Sequence, residues 1–322
     1  MQVTNFLMKF ANFATKYFSM IGRNVVTNIA REVGFDLVGV VRAEALTEEH
    51  NRFKEWLLAG NNSTLGYLER NVEKRFDASR LVEGSRSVIV CAVSYLSEYG
   101  KRVDMESTTK VASYALNRDY HLTIKRMLEA FAERLKAYAP ELRYRAFVDS
   151  APLAEKSHAR LAGLGWIGRQ SLLVNPRLGS MMHLGELVVD VEFDEYDSPM
   201  EGVGCGSCMR CVEACPNGAI LENRTIDARR CISCRTIERE AEGESVPLHG
   251  WIFGCDMCQT VCPFNQHAPL HRNPEFDPCV TPDMLTAERF RTMSEQEFNA
   301  LVGESPMLRA GFERIRKNAL KE

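Results

Sequence analysis

The chain has 322 residues, with 43 acidic and 40 basic side chains, a formal net charge of −3 and 45% hydrophobic residues. That length supports a sizeable core and more than one domain. The charge excludes a wholesale basic nucleic-acid binder, and no apolar stretch approaches the roughly 20 residues of a membrane span.

Residues 1–20 are mildly apolar but carry Lys9 and Lys16 and lack a small-residue cleavage site. A secretory signal is not expected, and the segment reads as an N-terminal extension, with Met20 an alternative start. The folded pattern then begins. Residues 24–33 show helical periodicity and stop at Gly34, a natural helix terminus. Residues 35–41 read as a strand, 48–59 as a helix ended by Gly60, and 87–93 as a buried strand containing Cys91. Residues 120–138 form the clearest helix, with Leu122, Met127, Leu128, Phe131 and Leu135 as its apolar stripe and Pro140 beyond its end. Residues 143–148 alternate like a strand, 152–162 read as a helix with Pro152 in its first turn, and 184–193 as a last strand. An acidic, turn-rich segment at 194–202 marks a domain boundary. The predicted division is an extension at 1–20, an α/β region at 21–200, a metal-organised region at 201–275, and a short segment at 276–322 with one or two helices, such as 295–301.

The second half carries the strongest chemical signal. Cys205, Cys208, Cys211 and Cys215, followed by Pro216, have the spacing C-x2-C-x2-C-x3-C-P. Cys255, Cys258 and Cys262 precede Pro263, and Cys231 stands between the runs. In bacterial ferredoxins the fourth cysteine of such a run ligates the other cluster. The expected crossing gives one [4Fe–4S] cluster Cys205, Cys208, Cys211 and Cys262, and the other Cys215, Cys231, Cys255 and Cys258. Cys231 replaces the missing first ligand of the second run. Zinc also uses C-x2-C pairs, but the long run and its matching second run are far more specific for iron–sulfur. Cys234 reads as a neighbour, Cys91 as a core thiol, and Cys279 has no assigned role.

A second block reads Val148-Asp149-Ser150-Ala151-Pro152, then Ala162-Gly163-Leu164-Gly165-Trp166-Ile167-Gly168, then Leu184-Gly185-Glu186. The glycines point either to close approach of a ligand or to a tight turn. Asp149 is either a helix cap or a carboxylate at the mouth of a site.

These blocks, with Gly66-Tyr67-Leu68-Glu69-Arg70, Arg75, Leu81, Tyr114-Ala115, Asp119-Tyr120-His121, Cys231-Ile232-Ser233 and Phe253-Gly254-Cys255-Asp256-Met257-Cys258, resemble the epoxyqueuosine reductase family over about residues 24–275. The resemblance implies an α+β protein: a nitroreductase-like cobalamin-binding α/β domain, then a two-[4Fe–4S] ferredoxin-like domain and a short helical C-terminus. It implies reduction of epoxyqueuosine to queuosine at the wobble position of tRNA, with low-potential clusters reducing cobalamin one electron at a time. Asp149 would be the general acid toward the departing oxygen, its pKa raised by burial against the corrin. Cobalamin contacts are expected at Arg75, Asp149, and the backbone near Trp166, Ile167, Leu184 and Asp256. Expected partners are tRNA and a flavodoxin or ferredoxin as electron donor, in a cytoplasmic monomer with no membrane contact. Basic stretches at 224–235 and 309–317 are candidates for tRNA phosphates, and the net charge predicts salt-sensitive binding with a splayed base entering the pocket. The sequence departs from the family at Asn117, where glycine is expected, and at Cys234, where an aromatic is expected. Long members also carry a C-terminal helical-repeat domain that this chain mostly lacks. Two other readings share parts of the pattern: a reductive dehalogenase, which predicts an export signal, and a ferredoxin-type electron carrier, which predicts no cobalamin.

Overall fold

The computed structural model describes residues 20–101, 107, 109–238 and 246–321. The expectation of an extension at 1–20 lies outside the described residues, Met20 excepted. The strands are β1 (Leu37–Arg42), β2 (Ser87–Ser94), β3 (Lys110–Val111), β4 (Tyr144–Phe147), β5 (Trp166–Ile167), β6 (Leu173–Val174), β7 (Met182–Val189) and β8 (Trp251–Phe253). Four of them form an antiparallel sheet in the order β1-β2-β7-β4. Helices α1 (Arg23–Glu32), α2 (Thr47–Leu58), α3 (Tyr120–Leu135) and α4 (Glu155–Leu161) belong to the same half. The mixture of helices with an antiparallel sheet is an α+β arrangement.

All eight residues of β2 are buried, because both faces of the sheet are covered. Ile89, Cys91 and Val93 point into a cluster with α1 and α3. Val88, Val90 and Ala92 point into a second cluster with Ala159 and Ala162, at α4 and its end. The period of two is intact, but both faces are apolar, so the sequence shows a continuous run rather than an alternation. Cys91 is a buried core thiol, as expected.

Helix α3 starts at Asp119, whose side chain accepts from the His121 N–H. Its buried stripe is Ile124, Met127, Leu128, Phe131, Ala132 and Leu135. Leu122, placed in the stripe from sequence, is 73% exposed; the 3.6-residue period from Leu128 runs back through Ile124 and leaves Leu122 on the outer face. Fully buried Leu128 and Phe131 each contribute about 1.5–3 kcal/mol, more than any propensity difference along the helix. Helix α4 begins at Glu155, so Pro152 lies in the turn before it rather than in its first turn. The last strand spans Met182–Val189, earlier than predicted.

The segment after residue 275 holds three α-helices, Ala287–Thr292, Glu295–Val302 and Phe312–Ala319, rather than one or two. Ser294 and Glu297 form a capping box on the second. These helices share one core with Val111, Ala115, Leu116, Ile252 and Phe253. The C-terminal segment is thereby packed against both halves of the chain. No helix among the described residues is long and apolar enough to cross a membrane.

Candidate active site and cluster centres

Asp149 lies two residues past β4, an edge strand, between the two layers that cover the sheet. Its side chain is 63% exposed, yet it is surrounded by named groups, as at the floor of an open cleft. The Tyr120 hydroxyl donates to Asp149 Oδ2 at 2.8 Å, and His121 Nε2 lies 3.5 Å from the same oxygen. Both come from the first turn of α3. From the other layer, Glu155 at the start of α4 accepts the Asp149 N–H at 2.7 Å. Asp149 does not cap α4; its carboxylate turns toward the cleft.

The His121 contact first, then the Tyr120 hydrogen bond, hold the Asp149 carboxyl below its ordinary range against the opposing effect of desolvation. Burial therefore does not raise Asp149 in the cofactor-free chain. The raised carboxyl is Glu155, pushed well up by burial and then by Glu186 and Asp149. Burial pushes His121 down, but its bonds to Asp119 and Asp149 outweigh this and the net direction is up. His121 Nδ1 is 2.6 Å from Asp119 Oδ1, and Arg309 Nη1 approaches His121 Nε2 at 2.8 Å. Tyr120 stacks on His183 with centroids 4.2 Å apart and planes within 10°. Burial holds His183 neutral, its pKa lowered to about 3. Burial also lifts Tyr67 to about 12.

Arg75 ends the short helix Val72–Arg75 and lies over the Phe53 ring at 5.7 Å. Its Nε is buried without a hydrogen-bond partner, an arrangement that calls for a polar group from outside the chain. The apolar cluster beneath the sheet reaches partly open positions at Ala151, Ile167, Met182 and Leu184. A polar anchor at Arg75, a carboxylate at Asp149 and an apolar face with Ile167 and Leu184 fit a large amphipathic ring cofactor such as cobalamin.

Two expected contacts are otherwise engaged. The Trp166 indole N–H donates to Cys205 Sγ at 3.4 Å, and its ring packs edge-on against Phe264 at 4.9 Å. The Asp256 carboxylate is 1% exposed and accepts from Ser113 N at 2.6 Å, Ser113 Oγ at 2.8 Å and Gln259 Nε2 at 3.0 Å. Only their backbones are left for a cofactor. The glycines near Trp166 serve the fold: Gly163 has φ +69° at the end of α4, and a Cβ on Gly165 would lie 2.2 Å from the Val174 carbonyl oxygen.

The eight predicted ligand cysteines gather into two sets. Cys211 is pushed up by burial and by Cys205, Cys262 and Cys208. Cys258 is pushed well up by burial, then chiefly by Cys255 and Cys231, and Cys231 in turn senses Cys215. Cys258 also senses Cys211, so the cysteines of both runs lie near one another. No three His, Cys, Asp or Glu groups among the described residues are spaced for a single metal ion. Ala219 N–H donates to Cys215 Sγ at 3.2 Å, and Arg169 ties down the Cys208 and Gly206 carbonyls at 2.8 and 3.0 Å. Such bonds orient ligand loops and tune cluster potential. Cys279 is exposed.

The basic stretches are largely structural. Arg229 pairs with Asp227, Arg235 donates to the Arg229 carbonyl, and Arg314 and Arg316 donate to the Ile237 and Phe290 carbonyls. A separate recess of about 730 Å³, lined by Arg31, Arg126, Arg134 and Arg272, contains none of the site residues. Its arginines largely pair with Glu275, Glu32 and Asp36.

The sequence reading named Tyr120 and His121 only as motif residues and did not select Glu155. The signal for the first two was an Asp-Tyr-His run opening a helix. Glu155 gave none, because its role depends on a turn six residues upstream.

Comparison with known proteins supplies the family. A model described as "Epoxyqueuosine reductase QueG, DUF1730" matches residues 75–150, and a "4Fe-4S double cluster binding domain" matches residues 204–265. A curated epoxyqueuosine reductase of Cyclobacterium marinum is 36% identical over 91% of this chain and 94% of its own length. One of Pseudomonas aeruginosa is 39% identical over 89% of this chain and 81% of its own. The crystal structure of an epoxyqueuosine reductase with an epoxyqueuosine-modified tRNA-Tyr stem loop superposes with a TM-score of 0.83 at 27% identity, covering 92% of this chain and 79% of that one. A Bacillus subtilis epoxyqueuosine reductase, described with its catalytic aspartate loop swung out of the active site, superposes with a TM-score of 0.81 at 25% identity, covering 92% of this chain and 79% of that one. At 36% and 39% identity to these relatives over about nine-tenths of its length, the chain belongs to the epoxyqueuosine reductase family.

Proposed function

We propose that this chain reduces epoxyqueuosine in a tRNA anticodon loop to queuosine, with Asp149 as the acid that serves the departing epoxide oxygen. The observation that carries this reading is the convergence of Tyr120 and His121 on Asp149 at the floor of a cleft. Asp149 is taken as the counterpart of the relative's catalytic aspartate on a movable loop.

Arg75 and the face containing Ile167 and Leu184 would hold cobalamin, which would supply the two electrons that, with two protons, release the epoxide oxygen as water. The two clusters, on Cys205, Cys208, Cys211 and Cys262 and on Cys215, Cys231, Cys255 and Cys258, supply electrons singly. The chain's own residues manage protons. In the open cleft Asp149 is ionised. Covering its exposed carboxylate with cofactor and substrate removes water and raises its pKa. His121, with its raised pKa and its Nε2 3.5 Å away, is the source from which Asp149 takes a proton. The Tyr120 hydroxyl fixes the carboxylate's direction. The stack of Tyr120 on buried, neutral His183 fixes Tyr120.

The reading includes a nitroreductase-like cofactor region at 21–200, a cluster region at 201–275 and a helical segment at 276–322. It also includes a cytoplasmic monomer served by a flavodoxin or ferredoxin. Arg309, beside His121, is the basic side chain best placed to meet a substrate phosphate.

The test is Asp149→Asn. Turnover on epoxyqueuosine-modified stem loop, normalised to bound corrin, is expected to fall about 10²–10⁴-fold, with iron content unchanged. Full turnover in this variant removes Asp149 from the acid role.

A further inference from the structure

Asp149 is held by its side chain and also by its backbone. It has φ +51°, and the Ser150 N–H turns back to the Val148 carbonyl, so Val148, Asp149 and Ser150 form a γ-turn about a left-handed residue that is not glycine. An L-residue in that region persists only where its surroundings over-determine it. Tyr120 and His121 hold the carboxylate, and the Glu155 carboxylate Oε1 accepts the Asp149 N–H at 2.7 Å.

Glu155 is the first residue of α4. One turn further on, His158 Nδ1 lies 3.1 Å from Glu186 Oε1 on β7, with both side chains fully buried. The acceptor therefore stands on a helix tied to the sheet, while the residue it grips stands on a strained turn. The charged and titratable groups facing Glu155 are Glu186 from β7, Asp149, Lys156 from α4, Arg75 from Val72–Arg75 and Tyr120 from α3.

We infer that Glu155 is the positioning residue that latches the Asp149 turn: by accepting the Asp149 N–H it holds the carboxylate in the cleft, and without that acceptor the turn relaxes outward. The latch deepens the reading of Asp149 as the acid, and only its consequence for turnover rests on that reading. Asn or Asp at 149 leaves the same N–H to be held.

The experiment is amide hydrogen exchange on the full chain with both clusters reconstituted and no substrate, read in peptides covering residues 147–153. Glu155→Ala is expected to speed exchange at the Asp149 amide about tenfold or more, because the amide is left without its acceptor. Glu155→Gln retains a neutral acceptor and is expected to stay within about threefold of the parent. Peptides from α3 and β2 stay unchanged in both. In turnover, Glu155→Ala lowers kcat with KM unchanged, and Glu155→Gln restores most of it. Parent-like exchange in Glu155→Ala overturns the latch, as does acceleration spread equally through α3 and β2. Full turnover in Asp149→Asn alongside fast exchange in Glu155→Ala overturns the acid assignment and leaves the latch standing.

Discussion

The Tyr120 hydroxyl and the Asp149 carboxylate meet at 2.8 Å, one from the first turn of a helix and the other from a turn after an edge strand. The bond favours the ionised form of Asp149. For the proposed acid role, cofactor and substrate must cover this carboxylate and raise its pKa before it donates. Tyr120→Phe removes that bond, keeps the stack on His183, and raises the Asp149 pKa. A group that acts when protonated then stays active to higher pH, so the alkaline limb of the single-turnover pH profile moves up. A downward shift or an unmoved limb contradicts this.

The His121–Asp149 contact also sets a stability window. His121 is raised above 6.5, so its contribution is complete below 6.5 and is lost as pH rises through the higher folded value. Asp149 is lowered below 3.8, so its contribution is complete above 3.8 and is lost as pH falls through the lower folded value. The pair is therefore intact at least across 3.8 to 6.5. Thermal denaturation of His121→Asn is expected to show its largest deficit inside that window and a smaller one at pH 9. An equal deficit at both contradicts the assignment.

Much of this was legible in sequence, for identifiable reasons. Metal ligands must lie close along a loop, so a double cluster domain is written in local cysteine spacing, and the matching family model spans residues 204–265. Helix α3 announced itself through its apolar period. Other features depend on contacts distant in sequence. The two-faced burial of β2 concealed the strand's alternation. The start of α4 was misplaced because the turn at Asp149 consumes Pro152. The Trp166 indole reaches Cys205 across 39 positions, a contact that no local spacing shows. The groups that meet the Asp149 carboxylate, Tyr120 and His121, stand 29 and 28 positions upstream, beyond any local pattern.

The cluster assignment predicts an asymmetry between two neighbouring thiols. Cys231→Ser is expected to retain about four of eight irons per chain after anaerobic reconstitution, because one cubane loses a ligand. Cys234→Ser is expected to retain about eight, since the second set is complete without it. Iron quantitation with electron paramagnetic resonance of the reduced protein reads both. The reverse pattern places Cys234 in the cluster.

Arg75 predicts cofactor affinity directly. Its Nε is buried with no hydrogen-bond partner, and the proposed corrin site would supply one. Arg75→Ala is expected to weaken cobalamin retention about tenfold or more, since a hydrogen bond from a charged donor is lost. Corrin absorbance after gel filtration measures it, with the cluster absorbance as internal standard. Undiminished retention contradicts the placement.

The central claim is tested by the reaction itself. The chain, reconstituted anaerobically with iron, sulfide and cobalamin and supplied with a low-potential reductant, is mixed with an epoxyqueuosine-modified anticodon stem loop. The RNA is then digested and its nucleosides are separated by mass. The account predicts queuosine, sixteen mass units below the substrate nucleoside for the oxygen removed, formed in the parent and lost about 10²–10⁴-fold in Asp149→Asn. Epoxyqueuosine left intact by protein that carries both clusters and bound corrin would contradict it.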